Sequence, residues 1–269
     1  MEAALRKADY DRYLSQLFAP APPRPHLIAL YAFNQEVAKT AWSVSQPMAG
    51  LIRLQWWRDA IGEVYAGQPR RHETLLAFAD AVSAHDLPRT LIDAMIDARE
   101  ADLEETPFAG LTELIAYADA TSGHLMRLSA RILGAGGGID KAAGEAGTAY
   151  ALSGLLRALP HHSVRRHLVL PLDLVHAAGI SPEDIFAGKT SGVSAVIGRI
   201  AQEARAHLDM ARRERVPRGF LPALLPAATV PASLRVLERP GFDPFHDSAD
   251  VPIHRRQLAM LGAVLTRRI

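Results

Sequence analysis

The sequence lacks cysteine entirely, and neither sign of charge is in marked excess. Without cysteine, disulfides, thiolate zinc sites, iron–sulfur clusters and cysteine nucleophiles are excluded. The 30 basic and 29 acidic residues leave a net charge of +1 at pH 7. Proteins that bind nucleic acid through its phosphates carry a strongly basic surface, so we expect no nucleic-acid partner.

Several motifs that would assign an activity directly are also missing. The sequence contains no HExxH and no Gly-x-Ser-x-Gly, and its glycine-rich stretch 134–138 has neither the preceding strand nor the following Lys-Ser/Thr pair of a P-loop. Zinc-protease, α/β-hydrolase and P-loop nucleotide chemistry therefore have no support.

Long apolar runs are scarce, since charges or prolines interrupt each of them. We find no window of the roughly 18–20 apolar residues that cross a bilayer, so any membrane contact should be peripheral. The first eighteen residues mix acidic with basic side chains and lack an apolar block, which is atypical of a secretory or transit peptide. We expect a cytoplasmic chain, either free or peripheral at the inner membrane.

Helical patterning dominates what is present. Good helix formers fill the long stretches between prolines and glycines, with apolar residues three or four apart. The dense prolines of 216–252 predict short helices and irregular chain, and the run 167–170 is the only extended segment. The sequence thus predicts one all-α domain over 1–269, with helices near 3–18, 26–44, 49–66, 72–84, 88–105, 110–134, 140–159, 182 onward, 192–214 and 253 to the end.

A group of carboxylates lies on one predicted helix. Asp93 and Asp97 are four residues apart and so share a helix face, with Glu100 and Glu104 nearby. Facing carboxylates suit Mg²⁺, but no second pair matches this one. We therefore interpret these residues as a solvated acidic face and predict no metal site.

The basic run 157–171 is unusual, because it places three arginines and three histidines within eleven residues. Arginine and histidine donors suit an anion such as a phosphate or a phospholipid headgroup. The alternative is an exposed basic loop whose charges pair with surface acids. Histidine would make anion binding stronger below about pH 6.5.

The C-terminal segment HRRQLAMLGAVLTRRI combines an apolar stripe with basic ends. A basic amphipathic helix of this kind can lie on an anionic membrane surface. The alternative, to which we give preference, is a terminal helix whose leucines close the core. The candidate membrane contacts are Arg255, Arg256, Leu258, Leu261, Leu265, Arg267 and Arg268.

Residues 10–171 resemble the squalene/phytoene synthase family of all-α head-to-head prenyl transferases. The resemblance rests on the order and spacing of YDRYLSQLFAP, ALYAFNQEVA, LQWWRDAI, LTELIAYADATSGHLMRL and AYALSGLLRALPHHSVRRHLVLPLDL. Tyr117 and Gly123 match one family motif, in which Ala118 stands where cysteine is usual. The resemblance implies an isoprenoid synthase fold with helices around a central cavity.

The same resemblance implies that the family's metal ligands are missing. Active members hold Mg²⁺ through two aspartate-rich motifs, whose positions correspond here to Ala38, Lys39, Trp42, Ala158 and His162. None is acidic, and Mg²⁺ requires hard oxygen ligands. We therefore expect no catalytic residue, metal or cofactor. The alternative is an active prenyl transferase of isoprenoid, carotenoid or hopanoid biosynthesis, which would need Mg²⁺.

Within the family, AFNQEVA, LRLQWWRDAI, LLRALPHHSVRR and LPLDL…GISPEDIF resemble the non-catalytic branch of complex I assembly factor 6. This implies protein partners in the biogenesis of respiratory complex I. The former active-site mouth would bind an anionic lipid or prenyl diphosphate, its tail in an apolar lining. The candidate ligand-binding residues are Asn34, Gln35, Arg157, His161, His162, Arg165 and Arg166.

Overall fold

The structure, a computed structural model, describes residues 1–44 and 46–269. Within these ranges every regular element is helical and no residue lies in a β-strand, which confirms the all-α prediction. The helices are α1 (Glu2–Ala8), α2 (Tyr10–Gln16), α3 (Arg24–Ala38), α4 (Pro47–Tyr65), α5 (Glu73–His85), α6 (Arg89–Asp97), α7 (Leu111–Ala118), α8 (His124–Ile132), α9 (Asp140–Arg157), α10 (Leu159–Val164), α11 (Leu172–Ala177), α12 (Pro182–Phe186), α13 (Val193–Arg213), α14 (Leu221–Leu224), α15 (Val230–Leu237) and α16 (Ile253–Thr266).

Several predicted helices are shorter or broken. The helix expected at 3–18 is divided at Asp9, which ends α1 and caps α2 by accepting a hydrogen bond from the Arg12 backbone N–H. The helix expected at 26–44 ends at Ala38 and is followed by a 3₁₀ turn, Ala41–Ser43. Side-chain caps and local turns compete with a continuous helix at these points.

The helix expected at 110–134 becomes α7, a π turn at Asp119–Gly123, and α8. The π turn packs against α9, which is rich in glycine and alanine. A Cβ atom on Gly147 would lie 2.4 Å from the carbonyl oxygen of Ser122 and 2.5 Å from Cα of Gly123. The two backbones therefore touch, and only glycine fits at this crossing.

Buried apolar residues form two clusters. The first comes mainly from α3 to α6, where Phe33 and Phe78 stack with ring centroids 4.4 Å apart. The second comes mainly from α9, α13 and the helices after residue 220. Helix α8 joins them, since Leu128 belongs to the first cluster and Met126 to the second. That the chain is one domain stays a prediction.

The proline-rich region after α13 consists of short helices, as predicted. The expectation that no segment is apolar enough to cross a bilayer is wrong. The segment Arg218–Leu237 in this region is long and apolar enough by length and composition. In the structure this segment is divided by prolines into α14, α15 and 3₁₀ turns, and 72% of its most apolar window is buried. Its hydropathy is that of a core segment.

Candidate functional site

A small polar cavity lies among α2, α3, α7, α8 and α9. Its volume is about 180 Å³, and its lining includes Arg12, Asn34, Arg99, Tyr150 and Arg157. The volume lies below the roughly 300–1,000 Å³ of most sites for drug-sized ligands. Helices therefore surround a central cavity as expected, but its lining is rich in charge.

Arg12, which lines this cavity, forms a largely buried ion pair. Its guanidinium is 2.5 Å from Oδ2 of Asp9 and donates to Oγ of Ser122 at 3.0 Å. Burial alone would lower the pKa of Arg12, but neighbouring charges, Asp9 foremost, raise it. Arg12 therefore stays charged in the interior.

Arg99 forms a second buried pair with Asp102. It donates to Oδ2 of Asp102 at 3.2 Å and to the hydroxyl of Tyr117 at 2.8 Å, and that hydroxyl donates to Oδ1 of Asp102 at 2.6 Å. Burial raises the pKa of Tyr117, so its hydroxyl remains a donor. The Asp102 carboxylate is thus fully engaged by protein partners.

Asp11 and Arg157 complete the charges around the cavity. Asp11 is buried and accepts from Nη1 of Arg256 at 2.9 Å and from the Tyr150 hydroxyl at 3.2 Å. Burial raises the pKa of Asp11, although the charge of Arg256 opposes this. Within the described ranges Arg157 has no hydrogen-bond or ion-pair partner, so it is the guanidinium free to meet a ligand.

Beside this cavity, Trp42 packs among three histidines and an arginine. Its ring centroid is 5.8 Å from His161, 5.1 Å from His162 and 5.8 Å from His167, and the Arg165 guanidinium lies 4.9 Å from it. We call this group the Trp42 cluster. It joins the 3₁₀ turn after α3 to α10 and the segment behind it.

The histidines of the Trp42 cluster are largely structural. His162 is buried, which lowers its pKa to about 3, with the charges of His167, His161 and Arg165 acting in the same direction. His162 is therefore neutral at physiological pH and cannot supply the stronger anion binding expected below pH 6.5. His167 is also buried, and its Nδ1 lies 2.6 Å from the carbonyl oxygen of Glu104.

The seven predicted ligand residues do not form one site. Asn34 and Arg157 line the central cavity, and Gln35 reaches Asp9 at 3.5 Å. Arg165 and Arg166 line a second cavity of about 600 Å³, whose wall also includes Trp42, Glu104, Glu105 and His167. Arg166 pairs with Glu105 at 2.8 Å, as the exposed-loop alternative predicted. The first part of the expected loop is helical, however, because α10 spans Leu159–Val164.

The acidic face on α6 is solvated, as interpreted from the sequence. Asp93 pairs with Arg89 at 3.1 Å, and Arg58 pairs with both Asp97 and Glu100. In the part of the chain that the structure describes, no group of three or more His, Asp or Glu side chains is arranged to hold a metal ion.

Helix α16 turns its leucines outward. Leu258, Leu261 and Leu265 are 64%, 44% and 74% exposed, while Met260 and Ala263 face the core. The preferred expectation that these leucines close the core is therefore wrong, because smaller side chains on the opposite face do so. Arg256 points inward to Asp11, whereas Arg255, Arg267 and Arg268 are exposed.

The charged interior was the part of the site that sequence reasoning missed. Arg12, Arg99 and Tyr150 were not proposed, although each lines the central cavity. A signal for Arg12 was present, since it lies in the family-like run YDRY and follows Asp9 by three residues.

Comparison with known proteins places this geometry in a family. The sequence model of the squalene/phytoene synthase family matches residues 5–257. The chain belongs to the squalene/phytoene synthase family. It is 36% identical to NADH dehydrogenase (ubiquinone) complex I, assembly factor 6, of Mus musculus over 91% of this chain and 74% of that protein. It is 28% identical to presqualene diphosphate synthase of Rhodopseudomonas palustris over 78% of this chain and 77% of that protein.

Solved structures show the same fold. A dehydrosqualene synthase in complex with ligand matches with a TM-score of 0.84, covering 99% of this chain and 94% of that one at 14% identity. Squalene synthase HpnC from Alicyclobacillus acidocaldarius matches with a TM-score of 0.79, covering 90% of this chain and 93% of that one at 21% identity. The expected isoprenoid synthase fold is thereby confirmed.

Proposed function

We propose that this member of the squalene/phytoene synthase family is non-catalytic and acts in the assembly of respiratory complex I at a membrane surface. The proposal is supported by relatives named complex I assembly factor 6, one of which is 35% identical over 91% of this chain. The implied partners are proteins of complex I biogenesis. The implied location is peripheral at the inner membrane.

The Trp42 cluster is the main structural support for the proposal that the protein is non-catalytic. By the family resemblance, Trp42 and His162 each stand where an aspartate of one metal motif would stand, and their rings lie 5.1 Å apart. Neither an indole nor an imidazole ring offers the oxygen ligands that Mg²⁺ requires, so these two positions no longer contribute to a metal site. The residues present therefore do not fit the metal, and we derive no reaction step through it.

We also propose that the former active-site mouth binds an anion without turning it over. Arg157 and Asn34 would contact it in the central cavity, where Arg157 has no protein partner among the described residues. The small volume suits a phosphate-sized group, so a prenyl or acyl tail would have to lie outside this cavity. His161, His162 and Arg165 are committed to the Trp42 cluster and contribute less than the sequence suggested.

The membrane-surface part rests on α16. Its outward leucines and the exposed Arg255, Arg267 and Arg268 form an apolar stripe with basic ends. Such a helix lies in the interface of an anionic membrane with its apolar face buried. Arg256 is left out of this surface because its charge is neutralised by Asp11.

Deleting the gene and resolving respiratory complexes on a native gel tests the assembly role. We expect loss of mature complex I, with subassemblies accumulating, and rescue by the wild-type chain. Rescue by His162→Ala would agree with a role that needs no chemistry at this position. Normal complex I together with altered squalene, carotenoid or hopanoid content would reject the proposal.

An active prenyl transferase is the second candidate. It is favoured by the relatives named presqualene diphosphate synthase and phytoene synthase, and by the arginines that converge on the central cavity. Incubation with farnesyl or geranylgeranyl diphosphate and Mg²⁺ separates the two candidates. A condensed product that disappears in Arg157→Ala would establish the transferase and overturn the non-catalytic proposal.

A further inference from the structure

A groove runs between α16 and the region of α15 and the end of α13. Its volume is about 790 Å³, and its apolar floor includes Pro231, Ala232 and Ala259. Four arginines line it: Arg212, Arg235, Arg255 and Arg268. None of the lining residues has an acidic side chain. We call this the arginine groove.

Three of these four arginines carry uncompensated charge. Within the described ranges, the side chains of Arg235, Arg255 and Arg268 have neither a hydrogen bond nor an ion pair, and all three are exposed. Arg212 is partly engaged, because its Nε donates to the main-chain oxygen of Ile269 at 2.6 Å and its Nη1 lies 3.3 Å from Asp209. Like charges gathered without acids repel one another, so their convergence favours an anionic ligand.

Two surface arginines near these in the sequence are paired, unlike the three unpaired arginines of the groove. Arg205 forms an ion pair with Glu238, and Arg239 forms one with Asp247 at 3.0 Å. Acids are therefore available close by in the sequence, yet they serve other arginines.

The arginine groove opens beside the leucine stripe of α16. At 3.6 residues per turn, Leu265 lies about 20° from Leu258 around the helix axis, and Arg255 lies about 60° to the other side. Leu258 itself belongs to the groove wall and is 64% exposed. If the leucines enter the acyl region of a bilayer, the arginines reach the level of the headgroups.

We propose that the arginine groove binds the phosphate headgroup of an anionic phospholipid. Arg235, Arg255 and Arg268 donate to the phosphate oxygens, because guanidinium forks match phosphate geometry. The apolar floor and Leu258 contact the glycerol and the first acyl carbons. This inference rests on the membrane contact proposed for α16, and it adds a groove for a single headgroup and a residue outside the C-terminal segment, Arg235.

Vesicle co-sedimentation at physiological ionic strength tests the proposal. The probes are vesicles of phosphatidylcholine alone and of phosphatidylcholine with phosphatidylglycerol at four to one. The groove variant combines Arg235→Gln, Arg255→Gln and Arg268→Gln. A matched control removes three exposed charges outside the groove: Lys7→Gln, Arg71→Gln and Arg215→Gln.

We expect the groove variant to bind phosphatidylglycerol vesicles on the order of a hundredfold more weakly, at about 1 kcal/mol per cation. The control should lose about threefold or less, since remote exposed charges are screened. Equal losses in both variants would overturn the groove and leave only a general electrostatic attraction. Unchanged thermal melting of both variants excludes misfolding as the cause.

A second measurement separates this inference from the membrane contact on which it rests. Calorimetric titration with a short-chain, monomeric phosphatidylglycerol reports the groove without a bilayer. The double variant Leu261→Asn, Leu265→Asn changes two exposed leucines that do not line the groove, and it should lose vesicle binding and keep the soluble lipid. If the wild-type protein binds neither kind of vesicle, the proposed membrane contact is wrong. If it binds vesicles but not the soluble lipid, the proposed headgroup site in the groove is wrong.

Two further probes test the ligand class. Inorganic phosphate should bind far more weakly than the short-chain lipid, because it lacks contacts with the apolar floor. Equal affinity for the two would overturn the lipid assignment in favour of a free phosphate site. Tighter binding of a synthetic acidic amphipathic helix, lost in the groove variant while vesicle binding persists, would overturn it in favour of a protein partner.

Discussion

The central cavity and the arginine groove are both built around arginine, but they use its charge in opposite ways. In the interior, Arg12, Arg99 and Arg256 each meet a carboxylate, from Asp9, Asp102 and Asp11 respectively. In the groove, Arg235, Arg255 and Arg268 meet none among the described residues. Arg255 and Arg256 are adjacent in the sequence but differ in this respect, because Arg256 pairs with Asp11 in the interior and Arg255 lines the groove.

The difference separates charge used for folding from charge available for recognition. A buried arginine must be paired, because an uncompensated charge in the interior costs several kcal/mol. An exposed arginine has water as its partner and can exchange it for a ligand. Arg157 is the intermediate case, since it lines the interior cavity without a partner in the described chain.

The largest expected effect is loss of an interior pair. Arg12→Ala leaves Asp9 uncompensated beside Tyr150 and removes the hydrogen bond to Ser122. We expect the free energy of unfolding to fall by about 3–5 kcal/mol, as when one partner of a buried pair is removed. Urea denaturation measures it, with the exposed Arg6→Ala as control. A loss below about 1 kcal/mol would mean that water enters the cavity and solvates Asp9.

A smaller effect should follow from adding volume to the interior. Gly147→Ala places a methyl group 2.4 Å from the Ser122 carbonyl oxygen, so α9 and the π turn must separate. We expect a loss of about 1–3 kcal/mol in unfolding free energy. Gly154→Ala is the matched control on the same helix, with no atom within 4 Å of its added Cβ. It should be neutral or stabilise by up to about 1 kcal/mol; equal losses would refute the close contact.

The sequence determined the helical content more readily than its interruptions. Apolar periodicity and proline positions predict that helices exist near the observed places. The π turn at 119–123 depends on the approach of Gly147, a residue 24 or more positions away. Local pattern carries no information on such a contact, and tertiary packing overrides helix propensity there.

The site was predictable to a similar degree. Asn34 and Arg157 were proposed from the family-like motifs and do line the central cavity. Arg12 was not, because an arginine in an amphipathic helix has the same pattern whether it faces water or a buried carboxylate. The orientation of α16 was also undetermined, since Met260 and Ala263 compete with its leucines for the core.

A third test uses pH and the buried His162. Its pKa is lowered to about 3 by burial, so between that value and the ordinary 6.5 the unfolded chain binds the extra proton. Stability contributed by the neutral imidazole is complete above pH 6.5 and is lost as the pH falls toward 3. Urea melts at pH 6.5, 5.5 and 4.5 should show His162→Gln losing roughly 1 kcal/mol per unit less than wild type. Parallel profiles would mean that water solvates this ring.

The smallest effect on stability should come from the arginine groove, which makes it the sharpest contrast with Arg12. Arg255→Gln removes a charge that has no acidic partner in the described chain and that lies in one groove with Arg235 and Arg268. We expect the free energy of unfolding to change by no more than about 0.5 kcal/mol, and to rise rather than fall, because repulsion between like charges is relieved. The rise should be largest at low ionic strength and vanish near 1 M salt, where the screening length is about 3 Å. Melting temperatures across a salt series measure it. A loss above about 1 kcal/mol that persists in high salt would show that Arg255 is structural, and would remove the distinction between paired interior charge and free groove charge.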